Sequence, residues 1–348
     1  SGVLLVSAGG LGDTILFSHL AERFAALAEP GEKITILLRR DGARTAFLLP
    51  EDWEVITIDF PRFRKNMSYR SEQSMMLYRR HFRLVVSTDF LRHPEIDERM
   101  MLACAAPRTV AMKAKPWEKY ASALASHEQR FSQVWDSGPV LQDKMLRWAA
   151  FADWLTGEVS PPPALPLPSD RLPEAAHFDR PTVLIQAFSA VKEKQWPATR
   201  YAALLDRLPV GTEVRFLGAP GELEANPDYA DLIARPNVSF DTSTFEQLVP
   251  MLRGAALVIS ADTAVMHLAA AVGGRTLCIA SAAYVGEIVP YAPELLPDNL
   301  TVQYQSMPCE GCLGDCRFEA IDGMYPCLAQ LPVSAVHDAV DRLLESSQ

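Results

Sequence analysis

The fold of this chain is decided by the stretch Ser260-Ala261-Asp262-Thr263-Ala264-Val265-Met266-His267-Leu268-Ala269-Ala270-Ala271. The apolar run at 255–259 predicts a buried parallel strand, and apolar residues recur at helical spacing after the polar turn. In an open α/β sheet such a turn lies at the carboxyl edge, where ligands bind. Asp262 and Thr263 fall at the helix start, where backbone N–H groups favour an anion such as a diphosphate. On this stretch alone, either residue could simply cap the helix, and His267 could be a packed surface histidine.

Length and composition narrow the class of protein. A chain of 348 residues is long enough for two domains, and 49% apolar with 22% charged residues is typical of a globular protein. A net charge of -10 argues against a general nucleic-acid binder. The sequence shows neither a membrane-spanning run of about 20 apolar residues nor a signal-peptide pattern. Together with clustered rather than framework cysteines, this predicts a cytoplasmic protein.

A glycine-rich loop near the start provides a second candidate site. The strand predicted at Val3–Val6 leads into Ser7-Ala8-Gly9-Gly10-Leu11-Gly12-Asp13, and an amphipathic helix is predicted over Ile15–Leu27. Glycines between a strand and a helix let the backbone approach a ligand closely, but this spacing is not the dinucleotide fingerprint. Asp13 is therefore either a helix N-cap or a carboxylate available as a general base.

The remainder of the first half continues the alternation of strands and helices. Strands are predicted at 33–38, 55–58 and 84–89, and residues 113–157 read as helical with aromatic core anchors. Between 62 and 83 the chain is strongly basic, with Arg62, Arg64, Lys65, Arg70, Arg79, Arg80 and Arg83. This run is either a solvated face or a patch that attracts an anionic acceptor.

A proline-rich stretch divides the chain. We predict an N-terminal Rossmann-like domain over 1–160, a linker over 161–181 and a C-terminal Rossmann-like domain over 182–332. The last segment, 333–348, is predicted to be a helix that packs back on the N-terminal domain. The fold class is α/β, with two doubly wound domains facing each other across a cleft.

Four cysteines form a separate cluster. Cys309, Cys312, Cys316 and Cys327 lie in a loop-rich segment whose spacing could close tetrahedrally around a structural zinc or iron. The alternative is four reduced or disulfide-paired thiols without metal. We expect no catalytic metal at this cluster.

Four motifs together resemble one enzyme family. They are Gly-Gly-Leu-Gly-Asp13, Lys194-Gln195-Trp196-Pro197, Gly218-Ala219-Pro220-Gly221-Glu222 and the Asp262-Thr263-Ala264-Val265-Met266-His267-Leu268 motif. This set is similar to the heptosyltransferases of glycosyltransferase family 9, over residues 3 to about 300. The resemblance implies the B-type glycosyltransferase fold, with the donor bound mainly by the second domain and the acceptor mainly by the first.

The resemblance also implies roles for single residues. Asp13 would be the base that deprotonates the acceptor hydroxyl, and Lys194 would stabilise the departing diphosphate. Glu222 would contact the adenosine ribose. The wider donor site would comprise Gly12, Ser189, Lys192, Gly218, Glu222, Ser243, Asp262, Thr263, Ala264 and His267. Inverting transfer needs a carboxylate for the acceptor and positive or N–H groups for the leaving charge, and no Asp-x-Asp metal motif accompanies them.

Three positions depart from the family pattern. Ala264 stands where the family usually has glycine, and the loop at 281–286 differs from the usual Gly-Pro-Thr-type turn. Both bear on the donor sugar. The strand end Ser87-Thr88-Asp89-Phe90 also differs, and it bears on the acceptor.

The sequence thus predicts a metal-independent, inverting glycosyltransferase that moves a heptose, or a related sugar, from an ADP-sugar donor, with ADP-heptose expected, to a lipopolysaccharide-core acceptor. The cysteine cluster leads to a second hypothesis, a protein O-heptosyltransferase. Similar cysteine-rich elements occur in family members that modify autotransporter adhesins. A non-catalytic nucleotide-sugar-binding protein is the third. The expected partners are an ADP-sugar and an anionic glycolipid or a protein, without nucleic acid. Peripheral contact with the inner membrane and a homo-oligomer are further expectations.

Overall fold

The computed structural model describes residues 2–345 as two compact units. The first unit ends at Pro163 and the second begins at Ala164. Each unit is built on a six-stranded sheet in which every paired strand is parallel. No helix within residues 2–345 is long and apolar enough to cross a membrane.

The sheet of the first unit has the strand order β3-β2-β1-β4-β5-β6. Its strands are β1 (Gly2–Ser7), β2 (Lys33–Arg39), β3 (Glu54–Ile58), β4 (Leu84–Ser87), β5 (Arg108–Met112) and β6 (Gln133–Trp135). Its helices are α1 (Leu11–Ser18), α2 (Ala21–Ala25), α3 (Phe60–Lys65), α4 (Met67–Arg79), α5 (Asp97–Ala103), α6 (Ala121–Glu128) and α7 (Lys144–Thr156), with 3₁₀ turns at Gly42–Leu48 and Glu118–Tyr120.

The sheet of the second unit has the strand order β12-β11-β10-β7-β8-β9. Its strands are β7 (Thr182–Gln186), β8 (Glu213–Leu217), β9 (Val238–Asp241), β10 (Leu257–Ala261), β11 (Thr276–Ile279) and β12 (Leu300–Gln303). Its helices are α8 (Ala198–Leu205), α9 (Glu222–Ala225), α10 (Ala230–Ile233), α11 (Phe245–Gly254), α12 (Ala264–Ala271), α13 (Pro326–Ala329) and α14 (Val333–Glu345). Its 3₁₀ turns are Ser169–Arg171, Lys192–Lys194, Pro227–Tyr229 and Ala282–Tyr284.

Both sheets reverse their strand order once, and this reversal positions the candidate sites. In the first unit the order reverses between β1 and β4, and in the second between β7 and β10. Strands β1 and β10 are buried along their whole length, as apolar strands covered on both faces are. Ligands of open α/β sheets bind at the carboxyl ends of the strands beside such a reversal. The predicted fold class, two Rossmann-like α/β domains, is confirmed in each unit.

Some elements differ from their predicted form. The helix predicted over Ile15–Leu27 is two helices, because α1 ends at Ser18, whose hydroxyl donates to the Ile15 carbonyl at 2.7 Å. The predicted helical span 113–157 contains the strand β6, and its Trp135 ring stacks on Phe151 at 5.6 Å. Aromatic residues supply the core of both strands and helices, so their spacing alone did not distinguish the two.

Two segments flank the predicted second domain, the linker at 161–181 and the helix at the end of the chain. In the predicted linker, the N–H of Leu167 donates to Ala271 and that of Ala176 to Pro250, both at 2.8 Å. The predicted linker is therefore hydrogen-bonded to the second unit at Leu167 and Ala176, whereas the Pro161 carbonyl accepts a hydrogen bond from Arg23 of the first unit. Helix α14 has its apolar face in the core of the second unit. Its predicted packing on the N-terminal domain stays a prediction. Its buried residues recur at helical spacing and so form one stripe: Val336, Ala339 and Val340.

Candidate active site

In the first unit Asp13 is held at the start of α1. It is the third residue of the helix, and its Oδ2 accepts the N–H of Gly10, the N-cap, at 2.8 Å. Its Oδ1 accepts a hydrogen bond from Lys144 Nζ at 2.5 Å. A Cβ at Gly9 would lie 2.4 Å from Asp13 Cβ, so the loop needs glycine there. The N-cap reading is therefore replaced by a carboxylate paired with an ammonium group.

Lys144 was not among the predicted site residues. It is the first residue of α7, directly after the N-cap Asp143, whose Oδ1 accepts the N–H groups of Met145 at 2.8 Å and Leu146 at 3.2 Å. Lys144 and Asp13 are 131 residues apart in the chain. Local spacing carries no signal for such a pairing, and only the tertiary fold brings the two together.

Asp89 is a second carboxyl close to Asp13. It follows β4, the strand beside β1 at the reversal, and its Oδ2 accepts the N–H of Ala8. The pKa of Asp89 is raised to about 6, mainly by burial and also by the charge on Asp13, against the opposing effects of Lys144 and Arg39. We call Asp13, Asp89, Lys144 and Arg39 the Asp13 group, because their charges interact.

A basic cavity adjoins the Asp13 group. Arg39 is the link, because a Cβ at Gly10 would lie 2.8 Å from its Nη2. The cavity has a volume of about 810 Å³. It is lined by Arg39, Arg40, Asp41, Arg44, Asp59, Phe60, Pro61, Arg64, Lys65 and Ile96.

The predicted basic run contributes only in part to this cavity. Arg64 and Lys65 line it, whereas Arg80 pairs with Glu54 at 2.7 Å and Arg83 with Glu32 at 2.6 Å. The remaining cations come from the carboxyl end of β2 and the turn after it. The arginines of that segment were missed because the pattern at 33–38 predicts a strand, and a strand prediction does not indicate a cavity at its end.

In the second unit Lys194 and Asp262 form an ion pair. Lys194 Nζ lies 2.7 Å from Asp262 Oδ2, and the two side chains are only 11% and 6% exposed. Lys194 follows β7 and Asp262 follows β10, so the pair lies at the reversal of this sheet. Two motifs that are distant in sequence are therefore brought together.

The start of α12 is next to this pair. Thr263 is the N-cap, and its hydroxyl lies 3.3 Å from Ser260 Oγ. Ala264 is the first helical residue. The backbone N–H groups of this first turn point toward the carboxyl edge, as at an anion-binding helix start.

His267 lies one turn further along α12. It is buried, its Nδ1 lies 2.7 Å from the Tyr291 hydroxyl, and the two rings stack at 5.7 Å. This histidine is thus packed within the second unit. Its predicted contact with the donor stays a prediction.

Lys192 and Glu222 are connected by a residue that the sequence analysis did not single out. Lys192 Nζ donates to Asn226 Oδ1 at 2.6 Å, and Asn226 Nδ2 donates to the Glu222 carbonyl at 2.7 Å and to Glu222 Oε2 at 3.4 Å. Asn226 is buried, so its amide holds both side chains in fixed places.

The other predicted donor positions follow neighbouring strands. The Ser189 hydroxyl accepts the N–H of Val191 at 3.2 Å after β7. Gly218 follows β8, where a Cβ would lie 2.7 Å from the Phe240 ring. The N–H of Ser243 donates to Asp241 Oδ1 at 2.8 Å after β9. Gly12 lies in α1 of the first unit, and its predicted contact with the donor stays a prediction.

The four clustered cysteines are free thiols that lie near one another. Partial burial raises the pKa of Cys309, and so do a hydrogen bond with Cys316 and the neighbouring Cys312 and Cys327. Cys327 Sγ accepts the N–H of Ala282 at 3.3 Å. Within residues 2–345, however, no three His, Cys, Asp or Glu side chains are already arranged around a metal position.

Comparisons with known proteins agree with this architecture. Residues 168–313 match the model of glycosyltransferase family 9 (heptosyltransferase), which confirms the predicted resemblance. A search of curated proteins found no match. The match supports the prediction of a glycosyltransferase and covers the segment that contains Lys194 and Asp262.

Solved structures with the same fold include three glycosyltransferases. The family 9 glycosyltransferase from Veillonella parvula is 17% identical with a TM-score of 0.70, and 99% of this chain and 98% of that chain are covered. Escherichia coli heptosyltransferase WaaC with ADP-2-deoxy-2-fluoro heptose is 18% identical (TM-score 0.65; 98% and 99% covered). The iron-containing dodecameric glycosyltransferase TibC from enterotoxigenic E. coli is 15% identical (TM-score 0.54; 100% and 77% covered). At these identities the likeness establishes the fold.

Proposed function

We propose that this chain transfers a heptose from ADP-heptose to a lipopolysaccharide-core acceptor, with inversion at the sugar carbon, because residues 168–313 match the model of the glycosyltransferase family 9 heptosyltransferases. The Lys194–Asp262 pair carries the proposal, because it lies in the matched segment at the strand reversal of the second unit. An ammonium group has three N–H donors, so Lys194 can keep Asp262 and still bind a diphosphate oxygen. The similar WaaC structure holds an ADP-heptose analogue, which supports the choice of donor.

The proposed chemistry assigns one role to Asp13 and another to Lys194. Asp13 takes the proton of the acceptor hydroxyl, the hydroxyl oxygen bonds to C1 of the heptose, and the bond from C1 to the diphosphate oxygen breaks. ADP leaves with additional negative charge, which Lys194 and the N–H groups at the start of α12 stabilise. These groups are the counter-charge in the proposal, which assigns no step to a metal ion.

A donor panel tests the substrate. Calorimetric titrations should compare ADP-heptose with ADP-glucose and with UDP- and GDP-sugars. We expect the ADP-sugars to bind and ADP-heptose to bind most tightly. Tighter binding of a UDP- or GDP-sugar would contradict the proposal.

Replacement of the base tests the mechanism. Asp13→Asn still accepts the Gly10 N–H but cannot take a proton, so we expect kcat to fall by about 10²- to 10⁴-fold. ADP affinity should be unchanged, since the proposed donor site is in the second unit. The exposed Glu51→Gln is the control. Normal turnover by Asp13→Asn would show that another group is the base.

The basic cavity supports an anionic acceptor. Five of its lining side chains are cationic and two are acidic, and Arg39 connects it to the Asp13 group. Arg44→Gln is expected to raise the KM for an anionic glycolipid. Added salt should likewise raise this KM in the parent enzyme, because it screens the cationic side chains. Unchanged KM would place the acceptor elsewhere.

The cysteine cluster favours a second candidate, transfer to a protein. The similar TibC is described as iron-containing, and the present chain has four neighbouring thiols of its own. Incubation with ADP-heptose and either glycolipid or protein acceptor separates the two, because only one product is expected to carry the sugar. A homo-oligomer, peripheral membrane contact and the cytoplasmic location stay predictions.

A structural metal belongs to the same proposal. Four thiols suit zinc or iron in donor type, and the Ala282 N–H on Cys327 Sγ is the kind of hydrogen bond that supports a bound thiolate. Cys309, Cys312, Cys316 and Cys327 would hold the ion. We expect elemental analysis of untagged protein to find about one equivalent of iron or zinc. Less than about a tenth of an equivalent would contradict the metal, and the variant Cys312→Ser should lose it.

A further inference from the structure

The ammonium group of Lys194 has two fixed partners. One is Asp262, and the other is the ring of Tyr284, whose centroid lies 4.5 Å from Lys194 Nζ. A cation above an aromatic face is attracted to it, more strongly where water is excluded. Tyr284 belongs to the loop that departs from the family pattern, so this partner is a property of the present chain.

The position of Tyr284 is set by the segment 309–327, which we call the Cys segment. Tyr284 ends the 3₁₀ turn Ala282–Tyr284. Two N–H groups of the Cys segment donate to this turn: that of Gly311 to the Ala282 carbonyl at 2.9 Å, and that of Leu313 to the Ala283 carbonyl at 2.7 Å. In return, Ala282 donates its N–H to the Cys327 thiol.

The Cys segment also hydrogen-bonds to the turn that carries the lysine. The N–H of Tyr325 donates to the Glu193 carbonyl at 2.9 Å, and Glu193 is in the 3₁₀ turn Lys192–Lys194. A Cβ at Gly314 would lie 3.3 Å from the Tyr325 hydroxyl and 3.4 Å from that of Tyr284. The segment thus contacts both sides of the Lys194–Tyr284 pair.

We propose that Tyr284 is a positioning residue for Lys194 and that the Cys segment, through Tyr284, tunes how strongly the donor site binds a diphosphate. The inference rests on the proposed role of Lys194. It gives the Cys segment a function in donor binding, whether or not a metal is bound. Tyr284 itself does not contact the reacting atoms in this proposal.

The first experiment separates the ring from its hydroxyl. Calorimetric titration with ADP should show about 3- to 30-fold weaker binding to Tyr284→Leu, because the cation–π contact is lost, and near-parent binding to Tyr284→Phe. Adenosine has no diphosphate, so its affinity should be the same in all three proteins. Equal weakening of ADP and adenosine would mean general damage and would overturn the inference.

A double-mutant cycle separates this inference from the proposed function. In a Lys194→Ala background, Tyr284→Leu should have no further effect on ADP affinity. If Lys194→Ala alone leaves ADP affinity unchanged, the proposed role of Lys194 fails. If Lys194→Ala weakens ADP and Tyr284→Leu has the same effect in both backgrounds, only the positioning role fails.

A matched pair of glycine variants tests the Cys segment. Gly314 and Gly323 both have positive φ, 89° and 76°, so alanine strains the backbone at each. Only at Gly314 does the new Cβ press on the two tyrosine hydroxyls, because nothing lies within 4 Å at Gly323. We expect Gly314→Ala to lower the affinity for ADP by about threefold, because part of the cation–π interaction is lost. Gly323→Ala should leave the affinity for ADP unchanged. Unchanged ADP affinity in Gly314→Ala, or an equal loss in both variants, would overturn the proposal that the segment acts through Tyr284.

Discussion

Asp89 shows how a single buried carboxyl couples the candidate site to stability. Its carboxyl is almost fully buried, accepts the Ala8 N–H and interacts with the charges of Asp13, Lys144 and Arg39. Burial raises its pKa to about 6 in the folded chain, against about 4 for an exposed aspartate. The folded chain therefore retains a proton between pH 4 and 6 that the unfolded chain has lost.

This proton has a measurable consequence. With more protons bound to the folded state, the free energy of unfolding falls as pH rises from about 4 to 6. Asp89→Asn still accepts the Ala8 N–H and does not titrate, so we expect it to be more stable than the parent at pH 7 by about 1–3 kcal/mol. The gain should disappear near pH 4. Denaturant unfolding of both proteins from pH 4 to 7 checks this, and parallel curves would contradict it.

At the same scale, sequence reasoning was uneven. Asp13, Lys194 and Asp262 could be selected because each follows a strand at a glycine-rich or polar turn, and such turns lie at one sheet edge. Lys144 and Asn226 could not, because their partners are set by tertiary packing rather than by spacing. A residue that acts through a distant partner has no local pattern.

At the scale of elements, the loop between β1 and α1 depends on the absence of a side chain. Gly9→Ala would place a Cβ 2.4 Å from Asp13 Cβ, so the loop and Asp13 must move. We expect a loss of about 1–3 kcal/mol in the free energy of unfolding and a clear fall in kcat.

Gly31→Ala is the matched control for this loop. Gly31 has a positive φ of 83°, but nothing lies within 4 Å of an added Cβ. Its alanine variant should lose some stability, about 1 kcal/mol, and keep parent kcat. Melting curves and steady-state rates of both variants check the comparison. Equal kcat for Gly9→Ala and the parent would contradict it.

Elements were predictable where the periodicity was strong. The run before Asp262 and the helix after it appear as β10 and α12, because a continuous apolar run of that length suits a strand buried on both faces. The end of α1 was predicted less well, since the Ser18 hydroxyl at that end competes locally with the helix. The same holds for β6, whose three residues are too few to show a period.

At the scale of the whole molecule, the second unit includes the end of the described chain. Helix α14 places Val336, Ala339 and Val340 in the same core as β7 and β8, and Asp341 pairs with Arg207 at 2.6 Å. The sequence predicted a helix in this segment. The core that its apolar face joins could not be predicted, because an amphipathic stripe indicates burial without specifying the surface that covers it.

Truncation of one core side chain tests this placement. Val336→Ala removes two buried carbons and leaves a cavity, so we expect a loss of about 1–3 kcal/mol in the free energy of unfolding. Asp338→Ala on the exposed side of α14 should change it by less than about 0.5 kcal/mol. Near the melting temperature of Val336→Ala a smaller fraction of its molecules is folded, so the sample should bind less ADP. Equal stability of the two variants would contradict the assigned core.

The hydrogen bonds from the Cys segment to Lys192–Lys194 and Ala282–Tyr284 also have a consequence for stored protein. Three of the four thiols are partly exposed, so oxidation during storage reaches them before it reaches the buried core. An aged preparation should then lose nucleotide affinity while its circular dichroism spectrum is still that of fresh protein. The fraction of reduced thiols, measured by titration, should therefore be determined before the concentration of active enzyme is calculated.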